Sequence, residues 1–221
     1  MYNSMDLLAE AINDRLNGSC EKFYFVGEDG EKREHNIQRY YIKPFPATKL
    51  EKKLFSLSKG KILDVGSATG NYFSELTKHG NVIGLETCNA LVKIAQNRDV
   101  NNIKCVDIFD YNTKDKFDTI TLLENNIGLG GNVDKTKILI QKLISLLNTN
   151  GKILIMLSRR AKKDFVIAKI AGFYKGKTGK QVNWLNITPD YLKQMCAENE
   201  CKLKIIAKDD SNYLIEIKTN V

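Results

Sequence analysis

Ile62-Leu63-Asp64-Val65-Gly66-Ser67-Ala68-Thr69-Gly70 is a short apolar run that ends in an acid, breaks into small residues and opens what reads as a helix at Asn71. This predicts a strand–turn–helix joint whose backbone comes close to a ligand. Gly66 and Gly70 can take backbone angles barred to residues with a Cβ, and they leave room. The helix start beyond them supplies N–H groups with no partner of their own. Asp64 distinguishes the joint from a phosphate cradle, because a fixed negative charge repels phosphate and suits a cationic, hydroxyl-rich ligand.

Working outward, the chain alternates strand and helix patterns from Lys61 onward. Apolar runs at 62–65, 82–85, 103–106, 119–123 and 153–157 read as buried strands, with helical patterns at 72–78, 89–97 and 135–147 between them. In the last helix, Ile138, Leu139, Leu143 and Leu146/Leu147 form the face expected to lie on a sheet. Asn150-Gly151 reads as its left-handed cap. Such alternation implies right-handed βαβ crossovers and a parallel sheet covered on both faces. The tail differs: Thr188-Pro189-Asp190 starts a helix to about Asn199, and runs at 202–207 and 213–217 flank an Asp- and Asn-rich hairpin turn.

Two further acids fall at strand ends. Glu86 closes the second run, 22 residues after Asp64, where a carboxylate can accept hydrogen bonds from both hydroxyls of a ribose. Asp107 closes the third, within Cys105-Val106-Asp107-Ile108-Phe109, with Asp110 nearby. Three acids at three successive strand ends converge on the carboxyl edge of the sheet, where open α/β folds bind ligands.

The 64–70 stretch resembles motif I of the class I S-adenosylmethionine-dependent methyltransferases, Asp/Glu-x-Gly-x-Gly-x-Gly, with Ala68 in place of the middle glycine. The resemblance implies a three-layer α/β sandwich around a seven-stranded Rossmann-like sheet whose antiparallel last strand inserts between the fifth and sixth. It also implies S-adenosylmethionine as cofactor. Asp64, Gly66, Ser67, Ala68 and Gly70 would cradle its methionine end. Glu86, with Thr87 beside it, would hold the ribose. Asp107 would accept from the adenine amino group, and Ile108 would pack on the ring. A dinucleotide-binding domain would instead need G-x-G-x-x-G and a sixth parallel strand.

The fourth run leads into Leu122-Leu123-Glu124-Asn125-Asn126-Ile127-Gly128-Leu129-Gly130-Gly131, the position that faces the transferable methyl group in this class. It lacks the Asn/Asp-Pro-Pro-Tyr/Phe of base and glutamine N-methyltransferases and has no cysteine nucleophile for cytosine-C5 chemistry. Together with Arg39-Tyr40-Tyr41-Ile42-Lys43-Pro44-Phe45-Pro46 and Trp184-Leu185, it resembles a group of small class I methyltransferases. Glu124 or Asn125 is expected to orient the cofactor or a nucleophile, with Glu124 as a base if it is buried. Tyr40, Tyr41 and Trp184 are expected to wall the acceptor pocket.

The 221 residues suit one α/β domain. We expect an N-terminal helix and cap segment over 1–57 and a methyltransferase core over 58–221, with a basic insertion at about 158–183. That insertion holds most of the net charge of +8: Arg159, Arg160, Lys162, Lys163, Lys169, Lys175, Lys177 and Lys180 against Asp164 alone. It reads either as a solvated loop or as a lid that attracts an anionic substrate. The five cysteines are scattered and the two histidines isolated, so no metal site is expected and reduced thiols are the plain reading. Cys88 and Cys105 are expected to be small buried apolar residues. No apolar run is long enough to span a bilayer, and residues 1–17 carry neither a signal nor a transit pattern, so a cytoplasmic location is expected. The expected acceptor is a small molecule methylated at N or O. RNA or protein guided by the 158–183 stretch is the alternative, and a non-catalytic S-adenosylmethionine-binding protein is a further one.

Overall fold

The computed structural model describes residues 2–43 and 45–219. The chain runs α1 (Ser4–Leu16), β1 (Tyr24–Gly27), β2 (Lys32–Glu34), a 3-10 turn (Ile37–Tyr40), α2 (Lys49–Leu57), β3 (Gly60–Val65), α3 (Phe73–Leu76), β4 (Gly80–Glu86), α4 (Asn89–Gln96) and β5 (Ile103–Cys105). It continues through β6 (Phe117–Leu122), a second 3-10 turn (Asn126–Gly130), α5 (Val133–Ser145), β7 (Leu147–Ser158), β8 (Phe165–Tyr174), β9 (Lys177–Thr178), β10 (Val182–Ile187), α6 (Pro189–Ala197), β11 (Cys201–Lys208) and β12 (Asn212–Thr219). No helix is long and apolar enough to cross a membrane.

The main sheet has the order β11-β12-β7-β6-β3-β4-β5. Strands β3 to β7 pair in parallel, and β12 runs antiparallel to both β7 and β11. This is the seven-stranded methyltransferase order with the last strand inserted second from the edge. Alternate side chains of each strand go to opposite faces, and both faces are buried. Leu63, Val65, Ile153, Ile155 and Leu157 pack with α5 and α6, whereas Ile62, Leu154 and Met156 pack with α2 and α3. The result is three layers.

A second sheet, β10-β8-β1-β2 with β9 on β8, is antiparallel throughout. It joins the N-terminal segment to the basic stretch, since Phe25 of β1 pairs with Gly172 of β8. Helix α1 lies beneath it, and Leu8, Ile12, Phe23 and Tyr174 close a third core against Leu91 and Ile94 of α4.

Several local expectations change. Most of the basic stretch is strand rather than loop or lid: Phe165–Tyr174 is rich in β-branched and aromatic residues, and its one lysine, Lys169, lies among them. Helix α3 is one turn long, not 72–78, because β4 already begins at Gly80. Asn150 does take a left-handed backbone, φ +64°, but inside β7, since α5 ended at Ser145 and Leu147 already pairs with Phe117. Ile138 is 53% exposed, and Thr136, Leu139, Ile140 and Leu143 form the buried face. Cys88 is buried as expected, but Cys105 is exposed at the end of edge strand β5. The Thr188 cap with Pro189 in the first turn of α6 is as expected.

Candidate active site

Asp64, Glu86 and Asp107 stand at the carboxyl ends of three adjacent strands, on or just beyond β3, β4 and β5. Asp64 is 1% exposed. Its Oδ1 accepts from Thr121 Oγ1 at 2.8 Å, while its Oδ2 is buried with no partner. Burial pushes its carboxyl up to about 6, against the pull of the Thr121 hydrogen bond. Glu86 is tied down at both oxygens: Ala68 N donates to Oε2 at 3.0 Å and Cys88 N to Oε1 at 2.8 Å. Its carboxyl is also raised by burial, and these amide bonds pull it back. Thr87 is exposed beside it. Asp107 is half-buried and accepts from Phe109 N at 3.0 Å, and Ile108 is buried in the main core.

The glycine-rich turn spends its amides internally. Gly66 N and Ser67 N both donate to Leu85 O at 2.9 Å, Ala68 N to Glu86, and Gly70 N to Ser67 O at 2.8 Å. The amides of Gly66, Ser67, Ala68 and Gly70 are therefore used, whereas those of Thr69, Asn71 and Tyr72 at the start of the next turn donate to no acceptor among the described residues, as expected of a helix start. Ala68 has φ +48°, so the residue in the middle-glycine position keeps the glycine-like backbone. That costs about 1 kcal/mol, offset by the bond to Glu86 and by burial of its methyl in the third core.

Asn126 holds this turn from the next strand. Its Nδ2 donates to Val65 O at 2.8 Å and to Gly66 O at 3.1 Å. A Cβ on Gly66, itself at φ +77°, would run into the Asn126 side chain. The sequence reading missed Asn126, because an asparagine in a Gly-rich loop reads as a turn former. Asn126→Ala is expected to lower stability by ~2 kcal/mol, the worth of two buried bonds less relaxation. Urea unfolding measures it, and a loss below about 0.5 kcal/mol would show that the clamp is redundant.

At the end of β6, Glu124 and Asn125 take successive left-handed conformations, φ +49° and +61°. Strain of this kind persists only where neighbours enforce it. Glu124 Oε1 accepts from Tyr72 Oη at 2.7 Å and from Arg39 Nε at 3.1 Å, with Arg39 Nη2 at 2.9 Å. Arg39 also pairs with Glu51 at 2.5 Å and lies over the Phe45 ring. Asn125 donates to Asn186 Oδ1 at 3.3 Å and to Leu185 O at 3.4 Å, and its Oδ1 accepts from Ser158 N at 3.0 Å. Asn125 thus ties the ends of β6, β7 and β10 together. The Glu124 side chain is 53% exposed, not buried. Glu51 had a signal in the sequence, the Thr48-x-x-Glu51 capping box that starts α2.

The 3-10 turn at Ile37–Tyr40 lies on the 66–70 turn. Thr69 Oγ1 donates to Tyr40 O, and Arg98 donates to Tyr40 O at 2.5 Å and to Tyr41 O at 2.9 Å. The Tyr40 hydroxyl meets His35 Nε2 at 2.9 Å, and both tyrosines pack against the third core. Pro44 of the same segment lies outside the described residues. Trp184 stands elsewhere, with Glu124, in a cleft of about 580 Å3 that is also lined by Asn125, Ser158, Arg159, Arg160, Lys162 and the 210–212 turn.

A family model described as a methyltransferase domain matches residues 33–198. No curated protein matches the sequence. Among solved structures, the chain is similar to an S-adenosylmethionine-dependent methyltransferase from Bacteroides fragilis in complex with S-adenosyl-L-homocysteine, with a TM-score of 0.88 and 22% identity over 100% of this chain and 98% of that one. A Clostridium acetobutylicum S-adenosylmethionine-dependent methyltransferase gives a TM-score of 0.61 at 15% identity, covering 84% and 97%. A sugar N-methyltransferase from Streptoalloteichus gives 0.58 at 12%, covering 76% and 84%. At these identities the likeness is one of fold.

Proposed function

Since this chain belongs to the methyltransferase-domain family, we propose that it transfers the methyl group of S-adenosylmethionine to a nitrogen or oxygen of a small-molecule acceptor. The residues present fit the cofactor. The unpartnered Oδ2 of Asp64 is a buried acceptor awaiting a donor or a cation, and Glu86 keeps lone pairs free beyond its two amide bonds. Asp64 with the 66–70 turn would hold the methionine end, Glu86 and Thr87 the ribose, and Asp107 with Ile108 the adenine. When bound, S-adenosylmethionine supplies a methyl carbon made electrophilic by its sulfonium.

The chain's own contribution is then positioning. Tyr72 and Arg39 occupy Oε1 of Glu124, which leaves Oε2 to accept a hydrogen bond from an N–H or O–H acceptor in the adjoining cleft. Asn125 keeps Glu124 and the Ser158 turn in fixed relation, and Trp184 gives the cleft an apolar wall.

The observation that carries the small-molecule reading is the cleft itself. Its volume of about 580 Å3 lies within the usual range of small-ligand sites, and it opens beside Glu124. The RNA or protein reading relied on the basic stretch as a continuous surface. Yet Lys169 pairs with Glu28, Lys175 with Asp14 and Lys177 with Glu10, so three of its eight cations are met within the protein and the stretch is not one continuous free surface.

Calorimetric titration with S-adenosylmethionine and S-adenosylhomocysteine is expected to give saturable one-to-one binding. Labelled-methyl transfer from cell extract is then expected to mark the small-molecule fraction. Label confined to RNA or protein would overturn the acceptor class, and absence of cofactor binding would overturn the whole reading.

A further inference from the structure

We propose that the acceptor carries an anionic group of the phosphate or carboxylate type, and that Arg160 and Lys162 bind it on the wall of the Glu124 cleft. This rests on reading that cleft as the acceptor site.

Five charged side chains line the cleft: Glu124, Arg159, Arg160, Lys162 and Asp210. Two are already committed. Glu124 is held by Arg39 and Tyr72. Arg159 donates to Asp209 O at 2.6 Å and lies over the Tyr213 ring, which makes it part of the hairpin-turn support. Arg160 and Lys162 are exposed and, among the described residues, have no carboxylate within 4.0 Å. Asp210 is the one unpaired acid of the lining, so the uncommitted charge is two cations to one anion.

Of the two unpaired cations, Arg160 is also held in place through its backbone. Ser158 N donates to Asn125 Oδ1, Arg160 N to Ser158 Oγ at 3.3 Å, and Arg159 N to Ser211 O at 2.9 Å. The Ser158–Arg160 turn is therefore built on Asn125, the residue next to Glu124, and ordering it on binding costs little. A guanidinium fork beside a flexible ammonium suits an anionic oxygen group, the fork giving direction and the ammonium charge. With Lys169, Lys175 and Lys177 paired, Arg160 and Lys162 are the uncommitted cations of the basic stretch that line this cleft.

Trp184 is the only tryptophan in the chain and lines the same cleft, so its fluorescence reports on this site alone. The probes are pyrophosphate and citrate, titrated at constant ionic strength with and without S-adenosylhomocysteine, so that phosphate and carboxylate arms are separate. A saturable change is expected with at least one probe. Arg160→Ser and Lys162→Ser are each expected to weaken it about tenfold or more, while Lys52→Ser, on the exposed side of α2, leaves it unchanged.

No saturable change with either probe, or equal affinity in the Arg160→Ser and Lys52→Ser proteins, would overturn the proposal. So would a response to tRNA alone with steep salt dependence, which is the mark of phosphate-backbone contacts. Calorimetry of S-adenosylhomocysteine on the same samples separates the two readings. Retained binding with no anion response removes the anion site only, and lost binding in the unmodified protein removes the methyltransferase reading.

Discussion

Glu86→Ala is expected to weaken S-adenosylhomocysteine binding about a hundredfold or more. The carboxylate does two jobs at once. It holds the amides of Ala68 and Cys88, which shape the 66–70 turn and the start of α4, and it is the proposed partner of the ribose hydroxyls. Truncation removes the ribose acceptor and leaves two buried N–H groups unpaired, at about 1–3 kcal/mol each. Glu86→Gln is the milder variant, since it keeps one acceptor oxygen but turns an NH2 toward the second amide. Calorimetry measures affinity, and near-ultraviolet circular dichroism shows that the variants are folded. Affinity within about threefold of the unmodified protein, in a folded variant, would mean that Glu86 is structural only.

The second large effect concerns Asp64. Its carboxyl rises from the ordinary 3.8 to about 6 because burial disfavours the charged form. The folded protein thus binds this proton more tightly than the unfolded chain. Stability from this group is fully present below pH 3.8, falls as pH climbs to about 6, and is flat above. The shift corresponds to ~3 kcal/mol. Asp64→Asn keeps the shape and removes the charge, so the unliganded variant is expected to be more stable than the parent by up to ~3 kcal/mol at pH 8 and to lose the pH dependence between 4 and 6. The same change is expected to weaken binding of the cationic cofactor. A cation favours ionised Asp64, so binding near pH 6 should release about half a proton, read from the buffer dependence of the calorimetric enthalpy, and none in Asp64→Asn. Parallel stability–pH curves for the two proteins would rule this account out.

The positions of Asp64 and Glu86 are local facts of the chain. A strand buried on both faces is a continuous apolar run, so β3, β4, β6 and β7 are visible without any partner, and the acid that ends a run marks the carboxyl edge. The Thr188-Pro189 start of α6 and the Asp209–Asn212 turn are equally local, because a cap or an Asx turn forms within four residues. The reading faltered where a pattern had two solutions. Helix α5 is apolar on more than one side, so periodicity alone did not separate Ile138 from Leu139. In β8, Lys169 and the cations flanking the strand masked a β-rich run.

The contacts around Glu124 and the 66–70 turn arise from side chains far apart in the chain. Arg39 reaches Glu124 across 85 residues, and Asn126 reaches Val65 across 61. The salt bridges that pair three of the eight cations of the basic stretch join β8, β9 and the turn between them to α1 and to Glu28 just past β1. The 62–70 stretch, in register with Glu86, Asp107 and the terminal hairpin, was sufficient for the class of fold and marked the carboxyl edge of the sheet as the candidate site, because hydrophobic burial and turn geometry act over a few residues. Which cations stay free, which amides are used and what walls the Glu124 cleft follow from long-range packing, since a charge or a donor is spent only when a partner from another element comes within hydrogen-bonding distance.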